Sequence, residues 1–206
     1  MTILGYNATL NRAFIWADNL FFCPPELEPT RRGGKIFVNP LAASAVVTTG
    51  HHKTGCAAAD ALMSAATFDE ASKSMPEALR AAFHESAKNR LTVAPASAWR
   101  TSSCLVGYSH TRHRIVGTVF SSEFEFEPTT SPMWMSPQVE GDADVCDEHS
   151  AIFTAQMQVA RLRKLGYGDR GSVLTFAELT PTSVSVRILC DLTRGVGLKA
   201  PPESES

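Results

Sequence analysis

Three residues near the start of the chain, Thr2, Asp18 and Lys35, are of the types needed to activate a hydroxyl. A threonine hydroxyl is a poor nucleophile at its free pKa and needs an adjacent base. An α-amino group, with a pKa near about 8, is one that only a chain terminus supplies. Thr2 acquires that amine if Met1 is removed, and cytosolic methionine aminopeptidases generally remove Met before a residue this small. A nearby lysine favours deprotonation of both hydroxyl and amine, and an aspartate can hold that lysine by a charge-assisted hydrogen bond. Plain structural readings are open at the same positions. Thr2 can be an exposed residue at a strand start, Asp18 a turn residue, and Lys35 one more solvated cation beside Arg31 and Arg32.

The elements that must position these residues follow from patterning. Ile3, Leu4 and Tyr6, a polar NATLNR turn region, and then Ala13 to Trp16 predict a hairpin ending at Asp18. Residues 23–34 are rich in Pro, Gly and charge and predict a loop. GKIFVN and LAASAVVTTG predict two strands split by Asn39-Pro40. TGCAAADALMSAATF predicts a helix capped by Thr54, and SMPEALRAAFHESAKNRL a second, capped by Ser74 with Pro76 in its first turn. Strands return in SSCLVGYSHTRHRIVGTVFSSEFEFEP, the third run alternating Phe124 and Phe126 with glutamates. The acidic stretch 140–149 leads into a long helix, apolar at Ile152, Phe153, Met157, Val159, Ala160 and Leu162 and ended near Gly166 and Gly168. GSVLTFAEL predicts a short helix and SVSVRILCDL a last strand. The tail 193–206 is expected to be disordered. Segregated runs of strands and helices argue for an α+β fold, a layered sandwich with helices outside.

Composition narrows the function classes. The 206 residues fit one domain, 1–192, and 19 basic residues nearly balance 21 acidic ones. That balance predicts no dedicated nucleic-acid or membrane surface. Cys23, Cys56, Cys104, Cys146 and Cys190 are odd in number and lack CxxC spacing, so they read as buried thiols in a reducing cytoplasm. His110 and His113 sit in a presumed hairpin turn, where helical spacing does not apply, and no metal site is expected there.

In joint order and spacing these features resemble the proteasome β-type N-terminal-nucleophile hydrolases, including the HslV-like peptidases. There the mature chain begins with a threonine on the first strand, an aspartate ends the second, and a lysine opens a later strand, as Thr2, Asp18 and Lys35 do. The resemblance carries over Gly50, after VVTT and before the Ala-rich helix, as the oxyanion-hole glycine. It carries over Asp169 and Ser172, in DRGS, as the late Asp-x-x-Ser beside the nucleophile, and Ser136 as a further serine of the set. By sequence alone, Asp169 and Ser172 serve equally as the N-cap region of GSVLTFAEL. Thr48 and His51 are expected as pocket walls.

The resemblance implies a four-layer αββα sandwich and a cytoplasmic threonine protease that needs no cofactor. It further implies a peptide or protein substrate, a homo-oligomeric ring or helical assembly, and a possible separate ATPase. A small-amide hydrolase of the same class and a non-catalytic structural or assembly subunit are the alternatives.

Overall fold

The structure, a computed structural model, describes residues 2–23, 28–88, 100–139, 144–166 and 172–192. The first hairpin forms as its apolar runs and polar turn predict: β1 (Leu4–Ala8) and β2 (Ala13–Asp18) pair antiparallel with Leu4 opposite Ala17. Next, β3 (Leu20–Cys23) and β4 (Glu28–Arg32) make a small separate ladder. The strands β5 (Ile36–Asn39), β6 (Ser44–Thr49), β7 (Ser102–Ser109), β8 (Arg114–Ser121) and β9 (Thr129–Thr130) form an antiparallel sheet in chain order. The chain then returns to β1 with β10 (Met133–Ser136), and β11 (Val173–Thr180) and β12 (Ser183–Asp191) complete a second five-stranded sheet in the order β10-β1-β2-β11-β12. Helices α1 (His52–Met63) and α2 (Phe68–Lys88) lie between β6 and β7, and α3 (Glu148–Lys164) between β10 and β11. This is a mixed α+β fold with antiparallel sheets.

Alternate residues of each strand serve different faces. Leu4, Tyr6, Ile15 and Ala177 of one sheet meet Ala45, Val47, Cys104 and Val106 of the other in one apolar cluster. Val46, Leu105 and Phe120, on the opposite face of their sheet, pack with Leu62 of α1 and with Met75 and Leu79 of α2. Trp16, Leu174 and Phe176 pack with Ala151, Ala155 and Leu162 of α3.

Several elements differ from their sequence reading, each for a packing reason. GSVLTFAEL is no helix: it holds most of the interior strand β11, apolar on both faces, with Leu174 and Phe176 turned to α3 and Ala177 and Leu179 to the other sheet. A strand buried on both sides loses the alternation that marks strands. The structural alternative for Ser172 as a helix N-cap goes with it. The loop 23–34 holds part of the β3–β4 hairpin. The run FEFE is not a strand either, because Glu125 and Phe126 take left-handed φ of 53° and 59°. That bend buries Phe126 edge-on to Phe83 at 5.4 Å, a gain that offsets roughly 1–2 kcal/mol of strain per left-handed residue.

The helix boundaries move as well. α2 begins at Phe68, with Thr67 Oγ1 accepting from Glu70 N at 3.2 Å, so Pro76 lies inside it. Ser74, expected as its cap, donates to Glu70 O and Ala71 O instead. α1 is capped by His51, and Thr54 is buried inside it. The sheet-facing side of α3 is Ala151, Thr154, Ala155, Gln158 and Leu162, while Phe153 is exposed. Cys104 is buried, which pushes its thiol pKa up, but Cys56 and Cys146 are exposed, contrary to a uniform buried-thiol reading. The tail 193–206 and Asp169 lie outside the described residues.

The sheets meet closely at Gly117 on β8, where an added Cβ would stand 2.6 Å from Cζ of the buried Tyr6. Tyr6 has no room to retreat, since its hydroxyl donates to Ser131 O at 3.0 Å. Overpacking of this kind costs about 1–3 kcal/mol, so Gly117→Ala is expected to lower unfolding stability by that amount in urea titration. An unchanged midpoint would show that the sheets are free to part here.

Candidate functional site

Antiparallel pairing gathers four strand ends at one end of the first sheet. Leu4 stands opposite both Ala17 and Ser136, and Asp18 opposite Leu174. Thr2, Asp18, Ser136 and Ser172 therefore come from four distant chain segments to a common edge. The residue after Thr2 is doubly held: Ile3 N donates to Asp18 Oδ1 at 3.2 Å, and Asp18 N donates to Ile3 O at 2.9 Å. In the second sheet Ile36 faces Val47, so Lys35, just before β5, and Gly50, just after β6, share the corresponding end.

There the two sheets exchange a buried charge. Lys35 Nζ donates to Asp18 Oδ1 at 2.6 Å and to Thr2 Oγ1 at 3.0 Å. Both ionic residues are only 3% exposed. Burial pushes the lysine pKa down, opposed by the Asp18 charge, and pushes the aspartate up, opposed by Lys35. An ammonium has three protons to give and accepts nothing, so Thr2 Oγ1 receives a hydrogen bond here and its own proton is left for another base. Negative charge developing on Oγ1 would meet a pre-placed cation in a low-dielectric setting, where such stabilisation is strongest.

The remaining expected residues are placed as follows. Gly50 has φ +100°, and a Cβ there would come within 2.7 Å of Arg100 O, so glycine is required at this strand-to-helix corner. His51 caps α1, its Nδ1 accepting from Lys53 N at 3.3 Å while its own N–H donates to Thr101 Oγ1 at 3.2 Å. Thr48 is buried on β6, and a Cβ on Gly55 of α1 would lie 2.9 Å from its Oγ1. Ser136 ends β10 beside Leu4. Ser172 is buried, and its carbonyl accepts from Leu192 N at 2.8 Å. Asp169 lies outside the described residues.

Sequence reasoning passes over Asn19, which ties the site's walls together. Its Oδ1 accepts from Val173 N at 2.9 Å and its backbone carbonyl from Gly33 N at 3.0 Å, linking the start of β11 to the approach to Lys35. A polar residue after a strand-end aspartate gives no signal of that role. Among the described residues no group of three or more His, Cys, Asp and Glu side chains could hold a metal ion, and no helix is long and apolar enough to cross a membrane. Neither a family model nor a curated protein matches this chain.

The ion pair sets a stability test. Lys35→Met leaves Asp18 buried and unpaired and is expected to cost about 3–5 kcal/mol, whereas Asp18→Asn with Lys35→Met should be neutral or stabilising by about 1–4 kcal/mol. The pH dependence follows from the directions of shift. A raised aspartate pKa makes the folded state hold more protons than the unfolded state above the ordinary carboxyl value, so stability falls there as pH rises. A lowered lysine pKa makes the folded state hold fewer protons below the ordinary lysine value, so stability rises there with pH. The stability of the parent minus that of the double variant should therefore pass through a minimum between the two folded pKa values. Urea titrations across pH check this, and a maximum there would mean that attraction outweighs burial.

Proposed function

We propose that this chain is a threonine-type N-terminal-nucleophile hydrolase with the four-layer αββα sandwich of the proteasome β type, in which Thr2, freed of Met1, cleaves amide or peptide bonds. The observation that carries the reading is the Lys35 ammonium bridging Thr2 Oγ1 at 3.0 Å and Asp18 Oδ1 at 2.6 Å. The charged pair is buried, and its ammonium reaches a hydroxyl from a third segment of the chain. The succession of apolar clusters, from helix pair to sheet to sheet to helix, supports the layered reading.

The chemistry then runs as acyl transfer. The Thr2 α-amine takes the Oγ1 proton, and Oγ1 attacks the substrate carbonyl carbon. The C–N bond breaks, and the amine product leaves with that proton. Water then attacks the ester, the carboxylic acid departs, and Oγ1 regains its proton. Lys35 stabilises the charge on Oγ1, and the Gly50 amide serves the tetrahedral oxygen, a donor of a kind worth about 3–4 kcal/mol. Asp169 and Ser172 order the amine, and Ser136 completes the set. Enclosure in a ring or helical assembly of copies, delivery of substrate by a separate ATPase and a cytoplasmic setting belong to the same proposal and rest on the family resemblance alone.

Intact mass of the native protein should show the chain lacking Met1, and a β-lactone or epoxyketone should label it covalently at Thr2. Thr2→Ala is expected to abolish that labelling. Retention of Met1, or labelling that survives the substitution, overturns the proposal. Comparing unfolded casein with small acyl-amides as substrates then separates a peptidase from a small-amide hydrolase.

A further inference from the structure

We propose that Gln158 is a positioning residue for this site: it holds the strand ends carrying Thr2, Asp18 and Ser136 in working register, an inference that rests on the hydrolase reading above. Gln158 lies on the sheet-facing side of α3 and is fully buried. Its Oε1 accepts from Trp16 Nε1 at 3.0 Å, and its Nε2 donates to Leu4 O at 3.2 Å and Pro137 O at 2.9 Å. Each partner sits on a different strand or its exit, one or two residues from a candidate residue of the site. Trp16 is two before Asp18, Leu4 two after Thr2, and Pro137 directly after Ser136.

The chemistry of the four groups leaves one arrangement. An indole N–H only donates and a backbone carbonyl only accepts, so the amide must present oxygen to Trp16 and nitrogen to both carbonyls. A flipped amide would set donor against donor and acceptor against acceptor. Ionised glutamate could serve Trp16 and neither carbonyl, and leucine could serve none of the three. The amide reaches the strands because its neighbours on this face of α3, Ala151, Thr154 and Ala155, are small and buried.

Stability does not call for a glutamine here. A buried amide is costly unless every hydrogen bond is made, and an apolar side chain on α3 would pack against the same cluster. What the amide supplies is direction: three bonds from one rigid planar group fix the end of β1 relative to the end of β2 and the exit of β10. Misplacement of a reacting group by about 1 Å can cost about a hundredfold in rate, so a fixed register at this edge is worth a buried polar group.

The test measures labelling of the full-length protein by a β-lactone, resolved into kinact and KI, for the parent, Gln158→Leu and Gln158→Glu. Both variants should lose between about tenfold and a hundredfold in kinact with KI within about twofold, the loss being larger for Q158L. A merely structural role would lower the melting temperature and leave kinact of the folded protein unchanged, and that result overturns the inference. Should Q158L fail to fold, Q158E decides alone, since it keeps the acceptor for Trp16. If the parent itself is not labelled, the hydrolase reading falls separately. The Ile3 and Ser136 amide resonances in nitrogen-15 spectra then judge the clamp: displacement in Q158E upholds it, and unmoved resonances overturn it.

Discussion

The ion pair between Lys35 and Asp18 is the constraint around which this molecule is built. Neither charge reaches water to any useful extent, so each must be satisfied by the protein or the fold loses several kcal/mol per ion. Satisfaction requires that the two packed sheets bring corresponding strand ends together in a fixed relation, because the acid closes a strand of one and the base stands just before a strand of the other. The same ammonium has protons to spare, and one of them finds Thr2 Oγ1. A hydroxyl near the chain start is thereby fixed in space by a charge that the fold has already neutralised.

Packing elsewhere serves that relation. The inter-sheet cluster is close enough at Tyr6 and Gly117 that a methyl group would not fit, which leaves the sheets little freedom to slide. Asn19 and Gln158 act on the first sheet from different directions, one bridging the start of β11 to the approach to Lys35, the other tying three strand ends to α3. Gln158 does so with the donor and acceptor of one planar amide, Asn19 with its side-chain Oδ1 and its backbone carbonyl. A small-residue face on α3 and a glycine at the β6-to-α1 corner remove bulk where backbones must come close.

Much of the site is legible in the chain itself. Thr2, Asp18 and Lys35 stand out because hydroxyl activation needs their chemistry, and each lies where local pattern ends a strand or begins one. Gly50 is marked by its place between an apolar β run and an Ala-rich helix. Thr48 shows the limit of local pattern: neighbours along a strand alternate faces, and its approach to Gly55 of α1 is set by how that helix packs. β11 misleads because burial on both sides erases the alternation that would identify it, and FEFE because the burial of Phe126 overrides a regular β pattern.

Residue chemistry and local periodicity thus determine the hairpin, the two early strands, the helix pair and the long third helix, and they mark Thr2, Asp18 and Lys35 as the candidate residues. They act over a few residues and are complete in the sequence. Which strand ends meet, that the lysine and the aspartate are buried together, and that Asn19 and Gln158 become cross-links are decided only when the sheets pack. Those contacts join segments as far apart as 154 residues, and their energies depend on burial that no local stretch possesses alone.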